Sequence, residues 1–229
     1  MKKIILTVFA TLALTMSPLF AEIGGGSFGF KLAINDITTK MTDDIDSDGS
    51  IDTNKTLDDS VGSGSLFLEY TLVRDRGAMT IGVDYVPMDG DLDKRKATQT
   101  STKAAAAGAA PQVSGTNSGE ASLQDHTTIY IQPGIMLNDS TMLYLTAGHV
   151  TVDLDVTTSI ISSTDIKSTK SIDGEQYGVG IKRSIGGGFI KLDYTETDYD
   201  KVSYTTTNST LVTGDLDNDQ MSISFGKSF

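Results

Sequence analysis

The chain has no cysteine and no tryptophan, and its 229 residues include only four prolines and two histidines. Lack of cysteine excludes disulfides, thiol catalysis, Cys-ligated metal centres and a lipoprotein-type lipid anchor. His126 and His149 are then the only imidazoles available for proton transfer or metal ligation. Basic residues are also scarce: 18 Lys and Arg stand against 30 Asp and Glu, for a net charge of −12. That balance argues against a nucleic-acid partner and against docking to anionic lipid through a basic patch. Long apolar runs are missing too, so a membrane-spanning helix is not expected.

The longest apolar run, residues 4–14, sits at the very start. Lys2 and Lys3 precede it, Pro18 breaks the segment behind it, and Ala21 offers a small residue before Glu22. Positive start, short apolar stretch and small residue are the parts of a secretory signal peptide. Leu19 is larger than usual two positions before the cut, which places the cut within a residue or two of Ala21. Residues 1–21 are therefore expected to be a signal peptide and 22–229 a single exported domain. Loss of Lys2 and Lys3 takes the net charge from −12 to −14.

What fills the remainder is alternation with period two, the mark of a half-buried strand. Residues 27–35 put Phe28, Phe30, Leu32 and Ile34 on one face, with Gly29, Lys31 and Ala33 on the other. Residues 64–73 set Leu66, Leu68, Tyr70 and Leu72 against Phe67, Glu69 and Thr71. After Gly77, Met79, Ile81, Val83 and Tyr85 oppose Thr80, Gly82 and Asp84. A fourth strand starts near His126, with Ile129, Ile131 and Ile135 against Tyr130, Gln132 and Gly134; Pro133 in its middle predicts a bulge or an early end. In residues 142–154 the phase is ambiguous: Leu143, Leu145 and Ala147 share one face, and Val150, Val152 and Leu154 the other. A bulge near Gly148 would put both sets outside. Three more strands carry Tyr177, Val179 and Ile181, then Ile190, Leu192 and Tyr194, then Met221, Ile223, Phe225 and Phe229.

The connections alternate in length. Those at 74–77, 137–141 and 184–188 are tight, whereas 36–62, 89–125, 155–172 and 196–218 are long. Eight strands with short turns on one side and long loops on the other predict an all-β, antiparallel, up-and-down transmembrane barrel with both termini on the short-turn, periplasmic side. Backbone groups in lipid must be paired within the protein, which a closed sheet achieves. Tyr70, Tyr85, Tyr177 and Tyr194 would serve as interfacial residues in the absence of tryptophan. On the opposite faces, Lys31, Lys182 and Lys191 share the inward phase with Glu69, Asp84 and Asp193. Eight strands leave a bore just wide enough for side chains. These balanced charges are therefore expected to pair as a lumen network that fills the barrel.

The last strand reads Met221-Ser-Ile-Ser-Phe-Gly-Lys-Ser-Phe229. With the export signal and the eight alternating strands, the chain resembles the small outer-membrane β-barrel families of the opacity-protein and OmpA-transmembrane type. The resemblance implies that Met221, Ile223, Phe225 and Phe229 form the signal read by the barrel-assembly machinery. Lys227 departs from the usual apolar residue at its position. The narrow bore and the lack of a catalytic set favour a structural or surface-interaction scaffold acting through acidic extracellular loops, with outer-membrane lipid and lipopolysaccharide as its surroundings. A small porin-like barrel for ions or solutes is the alternative, and a lipid-modifying barrel enzyme a more distant one.

Two local patterns bear on chemistry. Asp44, Asp46, Asp48, Gly49 and Asp52 match a calcium loop, but Lys55 stands where a bidentate Glu belongs. This marks at most weak Ca2+ binding in the first long loop, and no other cofactor is expected. His126 has Asp125 and Ser122 nearby in sequence, without any motif that would fix a catalytic geometry. No catalytic residues are assigned. Residues 97–119, with Ala104 to Ala110, read as a small-residue surface excursion.

Overall fold

The computed structural model describes residues 24–44, 53–87, 90–99, 115–159, 166–205 and 211–229. Residues 1–21, expected to be a signal peptide, the run from 45 to 52 and the alanine stretch at 104–110 lie outside these residues. In chain order the strands are β1 (Gly25–Asp44), β2 (Thr53–Arg74), β3 (Gly77–Tyr85), β4 (Gly90–Gln99) and β5 (Gly115–Asn138). They continue with β6 (Thr141–Ser159), β7 (Ile166–Ile185), β8 (Gly188–Tyr199), β9 (Val202–Thr205) and β10 (Leu211–Ser228). Neighbours pair antiparallel, with β4 carrying on the line of β3 along β5, and β9 the line of β8 along β10. Ten strands thus make eight staves. The ring closes by pairing of β1 with β10 from Ser27 and Ser228 to Asp44 and Leu211.

One end is tightly closed by turns. Asp75 (φ 53°) starts the β2–β3 turn, Asn138 Oδ1 accepts from Ser140 N at 3.0 Å in the β5–β6 turn, and Gly186 and Gly187 (φ 54° and 94°) make the β7–β8 turn. Glycine suits that last pair because both residues need positive φ. Gly25 and Phe229 lie at this same end, where Phe229 N donates to Gly26 O at 2.9 Å.

The strands run further than the alternation of large apolar residues suggested. Much of what reads as loop at 36–62, 89–125, 155–172 and 196–218 is strand. A 20-residue strand such as β1 rises about 50 Å at a barrel tilt near 40°. A hydrocarbon layer is about 30 Å thick. The sequence beyond residue 35 still alternates, but its outward residues are Asp36, Thr38 and Lys40, which read as loop by composition.

The outer wall carries an apolar band in the half nearer the turns. Leu32, Leu72, Ile81, Ile129, Leu145 and Met221 are examples, each exposed. Above the band the polarity of the wall inverts. On β6, His149 faces out while Val150 and Val152 are fully buried inside. Those two valines pack with Ile172 and Tyr199, and with Leu154 and Leu216, into an apolar core within the upper lumen. A wall section that faces water keeps its polar residues outside and draws apolar ones inward.

This inversion corrects the reading of β6. Its register with β7 is continuous from Thr141 and Arg183 to Thr158 and Ile166, so there is no bulge at Gly148. Val150 and Val152 keep the inward phase of Met142 and Tyr144. The irregularity lies in β5, between Gln124 and Thr127, where Asp125 has φ 51°. Pro133 causes neither a bulge nor an end: it pairs with Met79, and β5 continues to Asn138. The β5–β6 register is the same on both sides of it. Tyr70, Tyr177 and Tyr194 are exposed on the outer wall, but Tyr85 is 2% exposed, at the break between β3 and β4, and donates to Asp125 Oδ1 at 3.1 Å.

Candidate functional site

The lumen of the lower half is built around one carboxylate. Glu69 points inward from β2 and is 3% exposed. Lys182 Nζ of β7 donates to its Oε1 at 2.6 Å, and Lys191 Nζ of β8 to its Oε2 at 2.9 Å. Ser27 Oγ adds a bond to Oε1 at 3.2 Å, and Tyr130 OH one to Oε2 at 3.1 Å. The carboxylate therefore holds four donors from four staves besides its own. Such a buried charge is tolerable only because every lone pair in reach is used.

The two ammonium groups are held in turn. Lys182 Nζ lies 4.0 Å from the ring centre of Phe189, and Lys191 Nζ 5.2 Å from that of Tyr144. Lys191 also donates to Gln132 Oε1 at 3.2 Å. The negative faces of the rings complete the coordination of cations that have lost their water. Nearby, Lys31 pairs with Asp84, and Asp193 accepts from Tyr144 OH at 2.5 Å. A gap of about 20 Å3, lined by Lys31, Asp84, Lys191 and Asp193, is what is left between these groups. That is about the room of one water molecule.

Tyr130, Tyr144, Phe67 and Phe189 were not singled out from the sequence as part of this cluster. Their inward phase was available, but their height in the barrel was not. Inward glycines make room for them. A Cβ at Gly82 would overlap the Tyr130 ring, and one at Gly180 the Tyr144 ring. A small residue facing a large one across neighbouring strands is how a narrow barrel fills its bore.

Other residues fall as follows. At the seam, Phe225 stacks on Phe30 with centroids 5.4 Å apart, and Phe229 sits 6.3 Å from Phe28. Met221 is 69% exposed, and Ile223 pairs with Leu32. Lys227 points outward next to Phe28. Asp44 ends β1; Asp46, Asp48 and Asp52 lie outside the described residues. Among the described residues, no group of three or more His, Asp or Glu is arranged to hold a metal ion. His126 Nε2 lies 3.1 Å from Tyr199 OH in the upper lumen, and His149 Nε2 lies 3.7 Å from Asp173 on the outer wall.

No protein-family model and no curated protein sequence matches the chain. Solved structures do. The outer membrane protease OmpT of Escherichia coli is 8% identical, with 94% of this chain and 99% of that one covered, at a TM-score of 0.53. Ail, the attachment invasion locus protein of Yersinia pestis, is 10% identical over 87% of this chain and 99% of its own, and Neisserial surface protein A is 7% identical over 87% and 97%, both at a TM-score of 0.36. At such identities likeness speaks for fold, and it is the OmpT match that carries it. A ring of eight staves, an outer apolar band and this match together establish that the chain has the fold of an outer-membrane β-barrel.

Proposed function

We propose that the protein spans the bacterial outer membrane as a non-enzymatic scaffold, its lumen closed by side chains and its acidic upper wall turned to the cell surface. The signal segment at 1–21 would export it. The turn end, with Gly25 and Phe229, would face the periplasm. Lipid would surround the apolar band, and Met221, Ile223, Phe225 and Phe229 would form the strand read by the assembly machinery. Above the band, Asp36, Asp219 and Glu196 are direct neighbours on β1, β10 and β8. Like charges placed so closely repel one another. Divalent cations shared with lipopolysaccharide phosphates would offset that repulsion, which makes this wall the face for envelope contacts.

The observation that carries the reading is the clamp on Glu69. Lys182 and Lys191 reach one carboxylate from the opposite part of the ring and occupy the bore. Planar-bilayer conductance, with heat-modifiable migration measured on the same refolded sample, tests it. A heat-modifiable barrel with no sustained single-channel conductance is expected. Large, long-lived channels from that sample would overturn the closed lumen and restore the transport reading.

A further inference from the structure

The hydrogen-bonded ring that encloses the lower lumen does not stay closed above it. β2 pairs with β3 only as far up as Leu66 and Tyr85. β7 pairs with β8 as far as Gly174 and Tyr199, with one last bond from Asp200 N to Asp173 O at 2.8 Å. Above these levels, among the described residues, β2 pairs with β1 alone and β7 with β6 alone, while β4 pairs with β5 and β9 with β10. The upper wall is thus two sheets of four strands, β9-β10-β1-β2 and β4-β5-β6-β7, parted along two slits on opposite sides of the barrel. The sequence opens the first slit. Val86 N donates to His126 O at 3.0 Å, on the β5 side. Successive N–H groups of an extended chain point to opposite edges, so the next one would point to β2. The next residue is Pro87, which has none. The Leu66–Tyr85 register, carried on, would set Pro87 against Gly64 in the run Gly62-Ser-Gly-Ser65, where no large side chain holds a neighbour.

Free strand edges recruit further strands, and proteins guard them with lysines, prolines, bulges or brevity. Three of the four edges along the slits are guarded in these ways. β9 has only four residues. β4 carries the run Asp93-Lys-Arg-Lys96 and a register shift between Leu92 and Arg95. The upper part of β7 begins Ile166-Lys-Ser-Thr-Lys170, with a lysine at both Lys167 and Lys170. β2 differs. From Thr53 to Ser65 it has no proline and a single lysine, Lys55, and its register with β1 is unbroken. About 40 Å of regular edge is left there without a strand partner among the described residues. Its other charges, Asp58 and Asp59, are acidic.

We propose that the edge of β2 between Thr53 and Ser65 takes an extended peptide of a partner protein as an added antiparallel strand, with a lysine or arginine of that peptide opposite Asp58. Backbone hydrogen bonds to the free edge would supply affinity, and alternate side chains selectivity. Asn54, Thr56, Asp58 and Ser60 are exposed on one face of this stretch, and Leu57 and Val61 take the alternate phase. A strand that alternates polar and apolar residues matches both faces. Asp58 Oδ1 accepts from Thr38 Oγ1 at 3.0 Å, a bond that leaves its charge in place, and Asp36 stands across from Ser60. Opposite charges on facing strands attract, so the acids favour a basic strand. A second copy cannot serve through its own β2. Two copies in one membrane carry β2 in the same direction, and their edges would meet parallel, crossed at about 80°, twice the strand tilt. The inference rests on the surface-interaction reading above and gives it a kind of partner.

The probe is the peptide acetyl-Thr-Val-Lys-Val-Thr-Val-Thr-amide, mixed with the refolded full barrel in micelles, with amide hydrogen exchange of Thr53 to Ser65 followed by NMR. In the barrel alone alternate amides should exchange freely, because β1 serves only one edge. Saturating peptide should slow that free set about tenfold or more. Two N-methylated forms of the peptide carry the same charge: one is methylated at its Thr and Lys amides, the other at its Val amides. With face and direction fixed, only one set of amides points at β2. One form should therefore bind at least about tenfold more weakly, and the other as the parent does. Asp58→Lys should weaken the parent peptide roughly fivefold. Three results would each overturn the added strand: an edge already protected in the barrel alone, no slowing at millimolar peptide, or equal binding of the two methylated forms. Unchanged affinity in Asp58→Lys would overturn the cation opposite it. Heat-modifiable migration and conductance of the same samples report separately on the barrel and its closed lumen.

Discussion

The two halves of this barrel obey one rule with opposite results. Near the turns the outer wall is apolar and the lumen holds Lys31, Glu69, Asp84, Lys182, Lys191 and Asp193. Beyond the band the outer wall carries Asp36, Glu175, Glu196, Asp198 and Asp219, and the lumen holds Val150, Val152, Ile172 and Tyr199. Along β6 the backbone alternation never slips, yet the chemistry of its two faces exchanges near Gly148. The surroundings explain it. Against lipid, apolar groups belong outside and charges must find partners within; against water, the preference reverses. A single stave therefore carries a membrane-protein pattern and a soluble-protein pattern in series, in register with seven others.

The comparison breaks hardest at Glu69. Glu69→Ala leaves Lys182 and Lys191 buried without their shared counter-charge. A loss of about 3–5 kcal/mol is expected, read from urea unfolding of the refolded barrel. An unchanged midpoint would show that the lower lumen is not held by charge. The upper core should respond to lost volume instead. Val152→Ala, at a fully buried site, should cost about 2 kcal/mol in the same assay. Equal stability would mean the upper lumen is loosely packed. Gly82→Val tests the sockets of the lower half. It should push the Tyr130 ring off Glu69 at a cost of about 1–3 kcal/mol, and the paired change of Tyr130→Ala should recover part of that. Smallest of all is an exposed pair of the upper outer wall. Lys40 reaches Asp217 at 3.0 Å, with side chains 52% and 39% exposed. Lys40→Met should leave the unfolding midpoint unmoved, because water and salt screen such pairs. A clear drop there would erase the contrast between enclosed and exposed charges.

Period-two patterning, three tight connections and the closing phase of Met221, Ile223 and Phe225 made the barrel legible from the sequence, since these are properties of consecutive residues. The inward phase of Glu69 and of the lysines was legible in the same way. Their meeting was not: Lys182 and Lys191 lie 113 and 122 positions from Glu69. Alternation says which side of the wall a residue takes, but not its height. The misreading of Val150 and Val152 has the same origin. Without height, nothing says whether lipid or water lies behind the wall, and an apolar residue is assigned to lipid by default. Tyr85 and Pro133 went astray differently, because the strand break after β3 and the pairing partner of a proline depend on neighbouring strands.

The amino-acid sequence by itself determined a β-barrel with eight staves and two faces per strand, because alternation and turn chemistry act over a few neighbouring residues. Only the tertiary structure decided where along the axis the faces exchange character and which lysines share Glu69. Those follow from strand register and closure of the ring, which set the height of each side chain and bring residues far apart in the chain to one level.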